Sequence, residues 1–298
     1  MSRKINFVVI TDGEESIYPI YAKTLQSFIG PIKLHLPESS ISNKSIPRAI
    51  NVHFIRQDDY RTMVDAKEGT SVFICHGIAD KHYWDGPLVS MFDYICVPGQ
   101  LWHDKLFNEG VPIEKILTVG YAKLDPIFQG LTKKTSGPRN RVLWAPTHSN
   151  SPSSYPGFLE YLDKFPADLE VIYSPHPYNK SNQMPTLQEL TDADVVISDS
   201  GRLVYETWAI GKPVIFPDWL VKERVFRLYP YSFEEKIYKE KIGLHSDNFQ
   251  DLVNLVYHAL DVGIDPRAKE FIDGILSPEL RGKSGESIAK KLIKFADK

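Results

Sequence analysis

Cysteine is scarce in this sequence. The two in 298 residues, Cys75 and Cys96, each sit inside an apolar run, Val72-Phe73-Ile74-Cys75 and Tyr94-Ile95-Cys96-Val97. They lack the short spacing of a metal knuckle, so a structural zinc is excluded and buried reduced thiols are expected. Long apolar runs are missing too. No stretch approaches the roughly 18 residues that a membrane-spanning helix needs. The first apolar piece, Ile5 to Ile10, breaks at Thr11-Asp12-Gly13-Glu14-Glu15 and reads as a buried strand, not as the core of a signal peptide. The expected location is therefore cytoplasmic. Lys290, Lys291 and Lys294 of the final helix are expected to form a solvated face, with a weak peripheral membrane contact as the alternative. There is no excess of charge of one sign either. Thirty-five Lys+Arg against 38 Asp+Glu leave −3, which weighs against a partner held through many phosphate contacts. Internal repeats and low-complexity tracts are absent.

What is present is a soluble globular composition, 42% hydrophobic and 24% charged. The length is comfortable for two domains of about 150 residues each. Short apolar runs alternate with amphipathic stretches. Strands are expected at Ile5–Ile10, Ser71–Cys75, Tyr94–Val97 and Ile116–Val119, with helices at Ile17–Ile29 and Leu101–Asn108. The region 31–56 is ambiguous, with apolar pieces at 33–36 and 52–55. Leu131–Asn140 is nearly devoid of apolar residues and reads as an interdomain linker. Beyond it, strands are expected at Arg141–Ala145, Leu169–Tyr173, Val195–Ser198 and Pro213–Phe216. Helices are expected at Phe158–Phe165, Thr186–Thr191, Leu203–Ile210, Phe249–Leu260, Ala268–Ile275 and Glu286–Ala296. Apolar strands alternating with helices imply parallel sheets covered on both faces. The fold class is therefore α/β, with two Rossmann-like domains facing a cleft. The expected domains are 1–135, 136–280 and a C-terminal helix, 281–298, returning to the first.

Ligands of open parallel sheets bind beyond the carboxyl ends of the strands. The residues there form a consistent set. Thr11-Asp12-Gly13 follows the first strand, and His76-Gly77 the Ser71–Cys75 strand. In the second half, Pro146-Thr147-His148, Pro175-His176-Pro177 and Asp199-Ser200-Gly201 follow three strands in turn. Three of the nine histidines occupy such positions, which points to a shared site. Gly201 allows a sharp turn into a helix whose free N–H groups and dipole suit a phosphate, with the Ser200 hydroxyl as a further donor. The alternative reading makes Ser200 only a helix cap. One turn on, the Glu206 carboxylate suits two ribose hydroxyls. His176, fixed between two prolines, suits a leaving phosphate. His76 suits a general base, with Asp80 and His82 near enough in sequence to orient it. Asp192-Ala193-Asp194 matches a metal-binding D-x-D signature but precedes its strand, on the wrong edge of the sheet.

In this order the pieces resemble a family. His76-Gly77, the run from Gly110 to Asp125, Trp144-Ala145-Pro146-Thr147, His176-Pro177 and the run from Ala193 through Asp199-Ser200 to Phe216 are similar to the CDP-glycerol glycerophosphotransferases of teichoic-acid synthesis. The resemblance covers roughly residues 70–260. Ile78 stands where the family has Thr, and His148-Ser149-Asn150 where it has an Arg. Asp199-Ser200-Gly201 also resembles the UDP-sugar segment of UDP-GlcNAc 2-epimerases.

The resemblance implies a glycosyltransferase-B fold and transfer of a glycerol-phosphate or glycosyl group from a CDP- or UDP-linked donor. The acceptor would be a hydroxyl on a glycan or similar polymer. It implies catalytic roles for His76 and His176. The donor would lie on Pro146, Thr147, Ser200, Gly201 and Glu206; the positions after the strands add His148 and Asp199 on the donor side and Asp12, Gly13, Gly77 and Asp80 on the acceptor side. No metal and no cofactor are implied, the activated donor being a substrate. The alternatives are a UDP-sugar epimerase or hydrolase, with Asp12, Asp80 and Asp218 as its candidate carboxylates, and a glycosyltransferase acting on a nucleic-acid hydroxyl.

Overall fold

A computed structural model describes residues 4–8, 18–29, 34–35, 48–54, 69–74, 77–81, 85–135, 140–148, 151–176 and 187–297, with the backbone alone at 8, 18–23 and 34–35. Its strands are β1 Ile5–Val8, β2 Leu34–His35, β3 Ile50–His53, β4 Thr70–Ile74, β5 Tyr94–Val97, β6 Ile116–Thr118, β7 Arg141–Trp144, β8 Glu170–Tyr173, β9 Val195–Ile197, β10 Val214–Pro217 and β11 Leu244–Ser246. Its helices are α1 Tyr18–Ile29, α2 Gly86–Val89, α3 Gln100–Asn108, α4 Asp125–Phe128, α5 Leu187–Asp192, α6 Arg202–Ala209, α7 Asp218–Leu228, α8 Phe233–Glu240, α9 Phe249–Val262, α10 Pro266–Ile275 and α11 Ser284–Ala296. The chain is α/β. It divides into two compact units, Met1–Ile78 with Tyr83–Asp125 and Gly274–Lys298, and Ala79–His82 with Pro126–Asp273. None of the described helices is long and apolar enough to cross a membrane.

Unit 1 holds a six-stranded sheet in the order β2-β1-β3-β4-β5-β6. Every pairing is parallel. β3 and the described part of β1 are buried throughout and β4 nearly so, as parallel strands covered on both faces must be. The ambiguous pieces near residues 34 and 52 are the short edge strand β2 and the interior strand β3. Cys96 is buried in β5, and burial pushes its thiol up to about 12, so it packs as a small hydrophobe. Cys75 lies outside the described residues. Helix α11 packs on α1 and places Ile288, Leu292 and Phe295 in the core with Ile5, Val52 and Ile74. Asp125 caps its start, accepting from the Ser284 N–H at 3.2 Å and the Gly285 N–H at 2.7 Å.

His53, on β3, is fully buried with its ring tilted against Phe92 at 5.2 Å. Burial pulls its imidazole down to about 3. The unfolded chain takes up that proton near pH 6.5, so stability is present above that value and is lost as the pH falls toward 3. From pH 7 to pH 5 the loss is expected to be about 2 kcal/mol. Denaturant titrations at the two pH values check this. His53→Phe should remove that share of the pH dependence, and an unchanged dependence in the variant would contradict the assignment.

Unit 2 holds a five-stranded parallel sheet in the order β11-β10-β9-β7-β8. Val142, Trp144, Val195, Ile197 and Ile215 fill its core against Leu252 and Val256 of α9. The polar run after Leu131 is tied to this unit. Thr135 N–H donates to Asp192 Oδ1 at 2.7 Å, and Lys134 pairs with Asp194. The helix expected at Phe158–Phe165 is of the 3-10 type, Leu159–Lys164. Pro166 pushes the preceding Phe165 into an extended conformation, φ −68° and ψ 146°, which stops the turn before an α-helix can grow. Between residues 217 and 248 the chain forms α7, α8 and β11, which the apolar pattern does not announce.

Candidate functional site

The strand order of unit 2 reverses between β7 and β9, so the loops leaving these two strands diverge to opposite faces of the sheet. A crevice at such a switch point is where doubly wound sheets bind ligands. Residues 145–148 leave β7 and residues 198–201 leave β9, and buried polar groups fasten the two loops together. Ser198 Oγ donates to the Ala145 carbonyl at 2.8 Å, and the Thr147 N–H donates to Asp199 Oδ2 at 2.9 Å. Asp199 is fully buried, and Tyr238 OH donates to its carbonyl at 2.6 Å. Burial pushes its carboxyl up to about 6, against the pull of hydrogen bonds from Ser154 and Thr147 and of nearby Lys81. The sequence places Asp199 among the donor ligands. Its geometry is that of a clamp beneath them, with no surface of its own to offer.

Gly201 is the residue before α6, at φ 106° and ψ −173°, a conformation open to glycine alone. The N-cap residue of α6, Gly201, has no side chain with which to cap it. The Ser200 hydroxyl donates instead to the Pro152 carbonyl at 3.3 Å, so Ser200 is not the cap of α6. The first main-chain N–H groups of α6 point out of the helix start, where Gly201 brings no side chain of its own. Glu206 lies in the second turn of α6, 2% exposed.

Two imidazoles meet beside this helix. The rings of His148, after β7, and His176, after β8, pack edge to face at 5.3 Å. His148 Nε2 is 2.9 Å from Ser151 Oγ, which is 2.9 Å from Tyr229 OH. Burial pulls His176 down to about 4, aided by His148, Arg202 and Lys81, and burial with Lys81 lowers His148 as well. Both rings are neutral at pH 7. His176 therefore meets a ligand as a neutral N–H donor, and an arriving anion raises its proton affinity. Pro146 and Thr147 are buried at the base of this arrangement, where the Thr147 carbonyl accepts from Ser153 Oγ at 2.7 Å.

Lys81 is absent from the sequence-derived set, yet the structure brings it to the same place. Its Nζ donates to Thr147 Oγ1 at 3.2 Å and lies 5.7 Å from the centre of the Tyr229 ring. A Cβ added at Gly201 would stand 2.8 Å from that nitrogen. Glu234 holds the segment from below. The Asp80 and Lys81 N–H groups donate to its two oxygens at 3.1 and 2.9 Å, and Tyr205 OH donates at 2.8 Å. Burial, and then the charge of Asp80, push the Glu234 carboxyl up. Nothing in the string Ala79-Asp80-Lys81 separates this lysine from an ordinary surface one, so sequence alone had no signal for it.

The remaining expected residues divide. Asp80, expected beside the acceptor, is fully buried in unit 2, where its Oδ2 accepts from the Phe233 N–H at 2.9 Å. Its position is that of a structural anchor. Gly77 is buried in unit 1. Asp12, Gly13, His76 and His82 lie outside the described residues. Asp192 and Asp194 stand before β9, at the far edge of its sheet. Asp192 accepts from Thr135 and Gln188, and Asp194 from the Arg141 N–H and Lys134. Burial opposes the charge on both, but these partners outweigh it and hold both carboxyls below their usual range. Among the described residues no cluster of His, Cys, Asp or Glu is arranged to hold a metal ion.

No protein-family model and no curated protein matches the sequence. Solved structures do. A variant of the wall teichoic acid polymerase TagF is 14% identical over 99% of this chain and 89% of its own, with a TM-score of 0.63. The Staphylococcus aureus MnaA–UDP co-structure is 13% identical over 100% of this chain and 97% of its own, with a TM-score of 0.62. The Methanocaldococcus jannaschii UDP-GlcNAc 2-epimerase, in complex with UDP-GlcNAc and UDP, is 15% identical over 98% of this chain and 99% of its own, with a TM-score of 0.60. At these identities the likeness shows the fold, which is the glycosyltransferase-B type expected from the sequence.

Proposed function

We propose that unit 2 binds a nucleotide-activated donor, CDP- or UDP-linked, and that the protein transfers the donor's glycerol-phosphate or glycosyl group to a hydroxyl. The observation that carries the reading is the meeting, at the β7/β9 switch point, of the glycine-led α6 N-terminus with Thr147, His148, His176 and the cations Lys81 and Arg202. Helix donors and cations gathered in one place suit the phosphates of a donor. Solved structures of the same fold carry such ligands: one of TagF was soaked with CDPG, and MnaA was solved with UDP.

In the transfer the acceptor oxygen forms a bond to the donor group while its proton passes to a base, the role assigned to His76. Glycosyl transfer breaks the bond from the sugar carbon to the β-phosphate oxygen, and a nucleoside diphosphate leaves. Glycerophosphoryl transfer breaks the bridge between the two phosphates, and a nucleoside monophosphate leaves. In both, negative charge gathers on phosphate oxygens beside His176 and the α6 N-terminus, which stabilise it without calling on a metal.

Transfer is favoured over epimerisation by the fate of the carboxylates. An epimerase needs acid and base groups at the sugar ring. Asp80 is committed to the Phe233 N–H. Asp218, 4% exposed, holds His245 Nδ1 at 2.7 Å and Lys241 at 3.2 Å. The third candidate, Asp12, lies outside the described residues. The test is product analysis with CDP-glycerol and UDP-GlcNAc and a polyol-phosphate or glycan acceptor. Release of the nucleoside mono- or diphosphate coupled to acceptor extension is expected. Interconversion of the UDP-sugar with no acceptor consumed would overturn the reading in favour of epimerisation.

A further inference from the structure

We propose that Lys81 is the cation that grips the donor diphosphate, and that Glu234 is the residue that positions it. The inference rests on the reading of unit 2 as a nucleotide-donor site and assigns the site a residue that neither motif nor resemblance supplied. It starts from hydrogen-bond accounting. Lys81 is 8% exposed and its ammonium carries three donors. Among the described residues Thr147 Oγ1 takes one of them. A buried ammonium calls for more than one neutral acceptor, because desolvation without compensation is costly. Its charge is balanced at longer range by Glu234 and Asp199, opposed by Arg202, with the Tyr229 ring beside it. The unused donors lie against Gly201, where the N-terminus of α6 opens. An anion placed there meets the ammonium and the helix donors together.

The second strand of the argument is how Lys81 is held. Its backbone is left-handed, φ 44°, unusual for a residue with a side chain. Both oxygens of Glu234 take main-chain N–H groups from residues 80 and 81, and Asp80 is pinned to the Phe233 N–H. These bonds fix the direction in which the Lys81 side chain leaves the backbone. They bury two carboxylates close together, Asp80 among the causes that push Glu234 up. A segment needed only to connect two strands has no use for that arrangement.

The experiment is calorimetry of wild type, Lys81→Met, Lys81→Arg and Glu234→Gln with CDP and UDP, and with cytidine and uridine as probes that lack phosphate. Lys81→Met is expected to weaken diphosphate binding about 10- to 150-fold, the worth of a charge-assisted hydrogen bond, and to leave nucleoside binding within about twofold. Its melting temperature should equal or exceed that of wild type, since an incompletely paired buried charge is gone. A brace that merely supports Thr147 would give the opposite, lower stability with unchanged ligand binding. Burial sets the free ammonium near 8, so wild-type affinity for the diphosphate should fall roughly tenfold or more from pH 7.5 to 9.5. Lys81→Arg should bind without that fall, because a guanidinium does not titrate there. Should the Met variant fail to fold, the Arg variant carries the test through this pH profile. Glu234→Gln should weaken binding and move the midpoint to lower pH, since Glu234 supports the lysine's charge. If wild type binds diphosphates and Lys81→Met binds them equally well, the assignment of Lys81 falls while the donor site stands. If wild type binds none of them, the donor site falls and Lys81 with it.

Discussion

Gly201→Ala is expected to weaken nucleoside diphosphate binding by about 100-fold or more while the protein still folds. Two effects combine. At φ 106° and ψ −173° a side chain strains the backbone by about 1–3 kcal/mol, which shifts the entry to α6 and misaligns its N–H groups. The new methyl also stands 2.8 Å from Lys81 Nζ, so the flexible lysine end must swing away from the helix terminus. Each lost charge-assisted contact is worth about 1.5–3 kcal/mol, and two of them exceed a hundredfold in affinity. Calorimetry with CDP and UDP measures the effect, and thermal unfolding shows that the fold survives. An alanine variant that binds within about twofold of wild type would move the phosphates away from α6 altogether.

The second large effect separates binding from rate. Glu206→Ala is expected to weaken nucleoside diphosphate binding by about 10- to 150-fold, if the carboxylate in the second turn of α6 holds the ribose. His76→Ala is expected to leave that binding nearly unchanged and to lower turnover by about 10²–10⁴, the usual contribution of a positioned general base. The histidine's role comes from the sequence and the resemblance, while Glu206 has a described place, 2% exposed on the helix behind Gly201. One variant should fail in binding and the other in rate. Loss of nucleotide binding in His76→Ala alongside normal binding in Glu206→Ala would put the donor in unit 1 and reverse the assignment.

The parallel α/β fold was legible because its strands are buried on both faces and read as unbroken apolar runs, as in Val72-Phe73-Ile74 and Val195-Val196-Ile197. The pieces that escaped lie between residues 217 and 248, where α7, α8 and β11 form and only α8 carries a side-chain cap. Ser232 accepts from the Glu235 N–H at the start of α8. The Ser232-to-Glu235 spacing is a capping-box signature that was there to be read. The candidate site was legible in its loops, since Pro146-Thr147-His148, His176 and Ser200-Gly201 all follow strands. What composition could not reveal is which polar residues turn inward. Asp80 and Asp199 look like ligands in the sequence and are buried anchors in the fold, whereas Lys81 looks like surface and lies under Gly201. Direction of this kind depends on contacts from residues far along the chain, Glu234 and Phe233 among them.

The measurement that bears most directly on the account is a thermal-shift panel of the whole protein with CDP, UDP, GDP and ADP. A ligand that binds the folded protein stabilises it by about 2.7 kcal/mol at 100 times its Kd. The account expects CDP or UDP to raise the melting temperature clearly, and Gly201→Ala to abolish most of that rise. A panel in which no nucleoside diphosphate stabilises the protein, or in which the rise survives intact in Gly201→Ala, would contradict the claim that unit 2 is built to hold a nucleotide-activated donor.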